Sequence, residues 1–168
     1  IVGSKSLVDN VVLERNGDVL VVKNKPNSGK FFYTESDNLT IYITSTDLTG
    51  VNINGSGTFT AKSDIDTDNL NVLIKGSGDA FFRNILCDKV AFETRGSGDI
   101  KALSIDTRSA KIDIYGSGDI DVKTIKADNT DMQVRGSGDI DAVLKNVGST
   151  NIATYGSGDI DVRFIDCG

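Results

Sequence analysis

The 168-residue sequence predicts an all-β fold, a single-stranded parallel β-helix that completes one coil about every 20 residues. Three observations lead to this prediction: a Gly-Ser-Gly tripeptide recurs at constant spacing, apolar residues align between repeats, and the composition disfavours helices. Of the 24 acidic residues 21 are Asp, and Asp, Asn, Ser, Thr and Gly favour turns over helix interiors. The solenoid is expected to be right-handed, as connections between parallel strands almost always are.

The Gly-Ser-Gly tripeptide occurs six times, and its first glycines are separated by 21, 20, 20, 20 and 20 residues. Glycine reaches positive φ without steric penalty, and small residues let two backbones approach closely. Each copy is therefore expected to form a tight corner between two strands. The first glycines of the six copies are Gly55, Gly76, Gly96, Gly116, Gly136 and Gly156.

Apolar residues recur at equivalent positions after each corner. Residues 119–122 alternate polar and apolar side chains, as a half-buried strand does, and residues 131–135 predict a second strand. One repeat cannot bury its apolar side alone, but parallel strands stacked about 4.8 Å apart can. The two clearest columns are Ala80, Ile100, Ile120, Ile140 and Ile160, and Phe82, Ala102, Val122, Ala142 and Val162.

The sequence before the first corner is expected to differ from the repeats. Residues 11–22 predict a β-hairpin with an Asn-Gly turn, and residues 23–37 predict a loop and a return strand. Terminal units of solenoids are atypical because their edge strands must be protected, so the hairpin is expected to act as a cap. A further coil without a glycine corner is predicted from the alternation of Leu39, Ile41 and Ile43.

These elements predict one domain over residues 1–168. Residues 1–37 would form the hairpin cap and loop, and residues 38–168 would form the solenoid coils. The sequence begins at Ile1 and shows no charged-then-apolar leader, as expected either of a chain whose signal segment has been removed or of the mature part alone.

The charge balance and the missing residue types exclude several classes of function. The chain has 18 basic and 24 acidic residues, a net charge of −6 that argues against binding nucleic acid or an anionic membrane. It contains no His, which excludes Ser-His-Asp hydrolysis and metal ligation by His. Its longest apolar runs are a few residues, too short to span a bilayer.

Two segments and the repeats resemble a known family. The segments Asn38–Thr44 and Leu48–Gly57 resemble the opening of the head GIN domain family of auto-transporter adhesins, and the Gly-Ser-Gly-Asp units resemble its body. The resemblance implies a β-helical protein of a Gram-negative bacterium that is secreted, periplasmic or attached to the outer membrane or cell surface. The family supplies no catalytic residues. The first unit departs from the pattern because Thr58 replaces the Asp.

A column of aspartates follows the corners. Carboxylates about 4.8 Å apart repel by roughly 1 kcal/mol in water, so an interaction must offset the repulsion. One explanation is that each carboxylate accepts backbone N–H bonds at its own corner, as in an Asx turn. The other is a row of Ca²⁺ ions, which prefer oxygen ligands. The candidate calcium ligands are Asp79, Asp99, Asp119, Asp139 and Asp159.

Basic and aromatic residues share a second column, immediately before the corners. Arg and Tyr on neighbouring coils are expected to form cation–π contacts, each worth about 0.5–1 kcal/mol when exposed. The same column is a candidate stripe for glycan binding, because aromatic faces stack on sugars and guanidinium groups bind carboxylates. The column begins with Lys75. Its candidate ligand-binding residues are the four that follow, Arg95, Tyr115, Arg135 and Tyr155.

The two cysteines occupy equivalent positions four coils apart. Cys87 and Cys167 would therefore lie about 19 Å from each other, beyond the roughly 7 Å that a disulfide can bridge. Cys87 is expected to pack as a small apolar residue, whereas Cys167 could be exposed and link two chains.

Three functions are compatible with these features. The first is a non-catalytic surface module, adhesin-like or structural, whose partner is a surface glycan or a protein. The second is a polysaccharide-active lyase or esterase. The constant coil length disfavours it, because no loop is long enough to form the side of a substrate cleft. The third is a scaffold that assembles end to end with other copies through its uncapped last coil.

Overall fold

A computed structural model of the protein describes residues 1–26 and 38–167. The chain divides into two compact units, Ile1–Ser45 and Thr46–Gly168, which are described separately below. The predicted return strand and most of the predicted loop lie outside the described residues. The assignment of both units to one domain, with the hairpin as a cap, stays a prediction.

The first unit contains the predicted hairpin. Strand β1 (Val11–Asn16) pairs with strand β2 (Val19–Asn24) in antiparallel register. Because Asn16 pairs with Val19, the two-residue loop is Gly17–Asp18 and not the predicted Asn-Gly turn. Gly17 has a φ of 61°, which glycine adopts at little cost. A helix that the sequence analysis did not predict, α1 (Lys5–Asn10), precedes the hairpin and buries Leu7. With six residues it is too short for apolar periodicity to reveal it.

The further coil predicted around residues 39–43 is not formed. Thr40 instead makes an isolated antiparallel bridge with Val2, and each residue donates its backbone N–H to the other's carbonyl at 2.8 Å. Those groups of Thr40 are therefore unavailable to a parallel neighbour, and Tyr42 and Ile43 are exposed. The prediction was wrong because alternating apolar residues suit any half-buried strand, parallel or antiparallel.

The second unit is the predicted parallel β-helix, with about six turns. All strand pairs in its described residues are parallel, and residues twenty apart are partners in most of them, as Ile100 and Ile120 are. Strands that end at a corner are called pre-corner strands here, and those that follow a corner are called post-corner strands. The two longest strands, Ile65–Gly76 and Asp79–Gly96, include parts of both kinds. The strands are β3 (Gly50–Gly55), β4 (Thr58–Thr60), β5 (Ile65–Gly76), β6 (Asp79–Gly96), β7 (Ile100–Asp106), β8 (Ser109–Gly116), β9 (Ile120–Lys126), β10 (Asn129–Gly136), β11 (Ile140–Lys145), β12 (Ser149–Thr154) and β13 (Ile160–Ile165).

The predicted apolar columns form the core of the second unit. Ile100, Ile120 and Ile140 are completely buried, and the column that begins at Phe82 is buried through Ala142. The last members of both columns, Ile160 and Val162, are only partly buried because no described coil covers them. The alignment of repeats thus predicted the inward-facing residues correctly.

The regular repeat changes after β9, in β11 and also in β13, which pairs with β11 without a shift. The register between β9 and β11 shifts between Ala142 and Leu144, so that Leu144 pairs with Ile125 and takes its buried position. The residue lost from the strand is regained at Asn146, which has a φ of 54°. Asn tolerates this left-handed conformation better than most residues. The corner spacing therefore stays constant although the strand is one residue shorter.

The Gly-Ser-Gly corners bring the coils into direct backbone contact. The first glycine of each copy has a positive φ, for example 147° at Gly116. The second glycine is required for space instead: a Cβ atom on Gly118 would lie 2.1 Å from the carbonyl oxygen of Gly98. The serine between them donates its backbone N–H to the preceding coil, as Ser117 does to the Gly96 carbonyl at 2.8 Å. Glycine is thus obligatory at both positions once a coil lies beneath.

Candidate functional site

The aspartates after the corners form a continuous hydrogen-bond ladder. The Oδ1 atom of each one before Asp159 accepts a hydrogen bond from the backbone N–H of the aspartate one coil later. The distances are 3.0 Å for Asp99 to Asp79, 3.0 Å for Asp119 to Asp99, 2.9 Å for Asp139 to Asp119 and 2.8 Å for Asp159 to Asp139. The carboxylates do accept backbone N–H bonds, but the donor lies in the next coil and not in the carboxylate's own corner.

This aspartate ladder has a structural explanation that needs no ion. The backbone N–H bonds offset part of the repulsion between neighbouring carboxylates, and solvent screens the remainder. Asp99 also lies 3.8 Å from the Nζ atom of Lys101. Within residues 1–26 and 38–167, no group of three or more carboxylate or thiol side chains is placed to hold a metal ion. The calcium site proposed from the sequence stays a prediction.

The replacement Asp119→Ala should lower the free energy of unfolding by about 1 kcal/mol, because the N–H of Asp139 loses its acceptor. The replacement Asp119→Asn should cost nothing or stabilise slightly, since the amide oxygen still accepts and one like charge is removed. Urea unfolding of both variants measures the difference. An Asn variant as unstable as the Ala variant would show that the charge itself is needed, as a bound cation would require.

The basic and aromatic column forms the predicted cation–π ladder. The guanidinium carbon of Arg95 lies 5.6 Å from the ring centroid of Tyr115, and that of Arg135 lies 5.5 Å from the same ring. Arg135 also lies 5.4 Å from the ring of Tyr155. Parallel register places Arg95, Tyr115 and Arg135 side by side on successive pre-corner strands, with Lys75 next to Arg95. Tyr155 directly follows β12. The four residues from Arg95 to Tyr155 are called the Arg–Tyr ladder below.

Stacking inside the Arg–Tyr ladder decides what the surface offers to a ligand. Both faces of the Tyr115 ring are covered by guanidinium groups, so this ring cannot stack on a sugar as the sequence analysis envisaged. Tyr155, which is 61% exposed, has an arginine on one face. The ladder therefore presents mainly the edges of its groups, which are guanidinium N–H donors and phenol hydroxyls.

The two arginines of the ladder differ in their counter-ions. The Nε atom of Arg95 donates to the Oε1 atom of Glu93, two residues earlier on the same strand. The equivalent position beside Arg135 is occupied by the neutral Gln133. Among the described residues, no carboxylate forms an ion pair with Arg135. This difference was not predicted, although it is visible in the sequence at the position two residues before each arginine.

The same pre-corner strands carry polar and charged side chains two to six residues before the ladder positions. Lys111 donates a hydrogen bond to the buried carboxylate of Asp113 and forms an ion pair with it. The hydrogen bond is the main reason that the pKa of Lys111 is raised. Exposed Asn and Ser residues pair along neighbouring columns. These pairs are Ser149 with Asn129, at 2.6 Å, and Asn151 with Asp131, at 3.0 Å.

The two cysteines are not part of this surface. Both are free, and they occupy the predicted equivalent positions four coils apart. Cys87 is buried in the core as expected, and burial is the main cause of the raised pKa of its thiol. Cys167 is half-buried, and its sulfur accepts a hydrogen bond from the backbone N–H of Val147 at 3.4 Å. A buried thiol with a raised pKa is a poor nucleophile.

One known protein family matches nearly the whole chain. In the described parts of the chain, no helix has the length and apolar character that a membrane crossing requires. No curated protein and no solved structure matches the chain significantly. Residues 1–163 match the family described as "Putative auto-transporter adhesin, head GIN domain", a description that indicates an adhesin-like domain of the cell surface. Because this match extends over nearly the whole sequence, the chain belongs to the head GIN domain family of auto-transporter adhesins.

Proposed function

We propose that this chain is a non-catalytic, adhesin-like binding module on the outside of a Gram-negative bacterium, secreted or attached to the surface, and that it binds glycan through the Arg–Tyr ladder. The observation that carries the proposal is the ladder itself. It places three cation–π contacts in a straight row on an exposed sheet surface. Family membership supports an adhesin-like role.

The shape of the surface suits an extended ligand better than a small substrate. Successive pre-corner strands are in register, so the ladder repeats along the solenoid at about 4.8 Å per coil. Flat, regular solenoid surfaces of this kind bind extended partners in other repeat proteins. The corner spacing of 20 residues in four successive coils leaves no insertion that could enclose a reacting bond.

The aspartates also support a non-catalytic role. A general acid or base needs a carboxyl group that is available to its substrate. In the aspartate ladder the Oδ1 atoms of Asp79, Asp99, Asp119 and Asp139 already accept backbone hydrogen bonds that hold neighbouring coils together. These residues serve the fold, and the exposed binding chemistry lies on the other side of the corners.

Binding to a glycan array and to whole cells tests this proposal. The double variant Tyr115→Ala/Tyr155→Ala should lose most of the binding shown by the unmodified protein, because the arginines lose the rings that hold their guanidinium groups in place. A matched control is Phe81→Ala/Leu103→Ala, which removes two exposed apolar side chains from post-corner strands. Equal binding by the ladder variant and the unmodified protein would refute the proposal.

A further inference from the structure

Arg135 is held as a preorganised donor without an internal acceptor. Its guanidinium group lies between the rings of Tyr115 and Tyr155, at 5.5 and 5.4 Å from their centroids. The stacking restricts a side chain that would otherwise lose much rotamer entropy on binding. The described residues supply it with neither an ion pair nor a side-chain hydrogen bond. Its planar fork of N–H donors, which matches a carboxylate, is therefore open to a ligand.

Arg95, in the same column, differs from Arg135 because it has an internal hydrogen-bond acceptor. Glu93 occupies the position two residues earlier and accepts the hydrogen bond from Arg95. Gln133 occupies that position beside Arg135 and brings no charge. An external carboxylate at Arg135 would complete the arrangement that Glu93 completes internally at Arg95.

We infer that the ligand of the Arg–Tyr ladder is an acidic polysaccharide, anchored by a sugar carboxylate on Arg135. This inference rests on the proposed function and specifies its ligand class. Arg95 and Arg135 are two coils apart, about 9.6 Å, which is close to the length of an extended disaccharide. A polysaccharide with one carboxylate in each disaccharide, anchored at Arg135, would place its next carboxylate near Arg95, where it competes with Glu93 for the guanidinium group.

The same spacing disfavours an acidic peptide. Side chains on one face of an extended peptide recur about every 6.8 Å, which does not match two coils of the solenoid. The net charge of −6 gives no general attraction for a polyanion, so binding depends on the local N–H donors of Arg135.

Hyaluronan, which carries one carboxylate in each disaccharide, is the probe for the test, and its affinity is measured by biolayer interferometry at low salt. The replacement Gln133→Glu gives Arg135 an internal acceptor and should weaken hyaluronan binding at least about tenfold, because a charge-assisted hydrogen bond must be given up. The replacement Glu93→Gln removes the internal acceptor of Arg95 and should strengthen binding several-fold. The replacement Leu103→Glu adds the same charge on a post-corner strand and should leave binding unchanged.

Two polymers separate this inference from the proposed function. Carboxyl-reduced hyaluronan should not bind, and poly-L-glutamate should bind much more weakly than hyaluronan. If the reduced polymer binds as well as hyaluronan and still requires the tyrosines, the adhesin-like function stands and the acidic ligand is wrong. Equal binding of poly-L-glutamate, no binding of hyaluronan, or unchanged affinity in Gln133→Glu would each overturn the inference. If the unmodified protein binds neither glycans nor cells, the proposed function is refuted instead.

Discussion

Replacing Gly118 by Ala should destabilise the protein by at least about 3 kcal/mol, because the new methyl group meets backbone that cannot move aside. Its Cβ atom would lie 2.1 Å from the carbonyl oxygen of Gly98 and 2.9 Å from the carbonyl carbon. Both atoms belong to the coil beneath, so relief requires separating two coils and losing their hydrogen bonds. For a domain of this size the melting temperature should fall by on the order of 10 °C.

The matched control is the same replacement at the first corner. Gly57 is the second glycine of its motif, as Gly118 is, but a Cβ atom there would meet no described atom within 4 Å. Gly57→Ala should therefore leave stability unchanged or raise it slightly, because alanine reduces the entropy of the unfolded chain. Thermal melting followed by circular dichroism measures both variants. Equal melting temperatures would mean that the coils are not in backbone contact at the corners.

Replacing Phe82 by Ala should cost about 3–5 kcal/mol of unfolding free energy, as large-to-small changes of buried aromatic residues do. Phe82 is 4% exposed, and its ring centroid lies 5.5 Å from that of Phe59 and 5.7 Å from that of Phe92. The neighbouring residue provides the control. Phe81 is 36% exposed, so Phe81→Ala should cost less than about 1 kcal/mol.

Urea unfolding of the two phenylalanine variants also tests the register of strand β6. Adjacent residues in a strand face opposite sides, and a shift by one residue would exchange the inward and outward sets. A larger loss of stability for Phe81→Ala than for Phe82→Ala would show that the register described here is wrong.

The core and the corners could be predicted from the sequence because each follows from a repeated local requirement. Ile100, Ile120 and Ile140 appear as a column once the glycines are aligned, and stacking is the arrangement that buries them together. The positive φ of Gly116 likewise follows from its residue type at a tight corner. In these cases the repeat supplied the long-range information that a single segment lacks.

Other features depend on contacts between coils that residue types alone do not determine. An Asp after a glycine corner suggests a bond within its own turn, yet Asp119 accepts its hydrogen bond from Asp139, twenty residues away. The alternation of Leu39, Ile41 and Ile43 does not distinguish a parallel neighbour from the bridge that Thr40 forms with Val2.

The candidate binding surface was also predicted only in part. The column of Arg and Tyr and its cation–π contacts were predicted from the spacing of the repeats. Which faces of the Tyr115 ring stay open, and which arginine has an internal counter-ion, depend on side-chain positions. The contrast between Glu93 and Gln133 becomes informative only when the structure shows that Arg95 uses its neighbour.

The central claim is that each coil lies directly on its predecessor, with residues twenty apart as parallel partners. Nuclear Overhauser effects between backbone protons in a deuterated sample test it most directly, because parallel strands bring partner residues within about 5 Å of each other. The structure predicts contacts between residues 100 and 120 and between residues 112 and 132, with the residue numbers of partners increasing together along both strands. Contacts in which one residue number rises as its partner's falls would indicate antiparallel strands and contradict the β-helix.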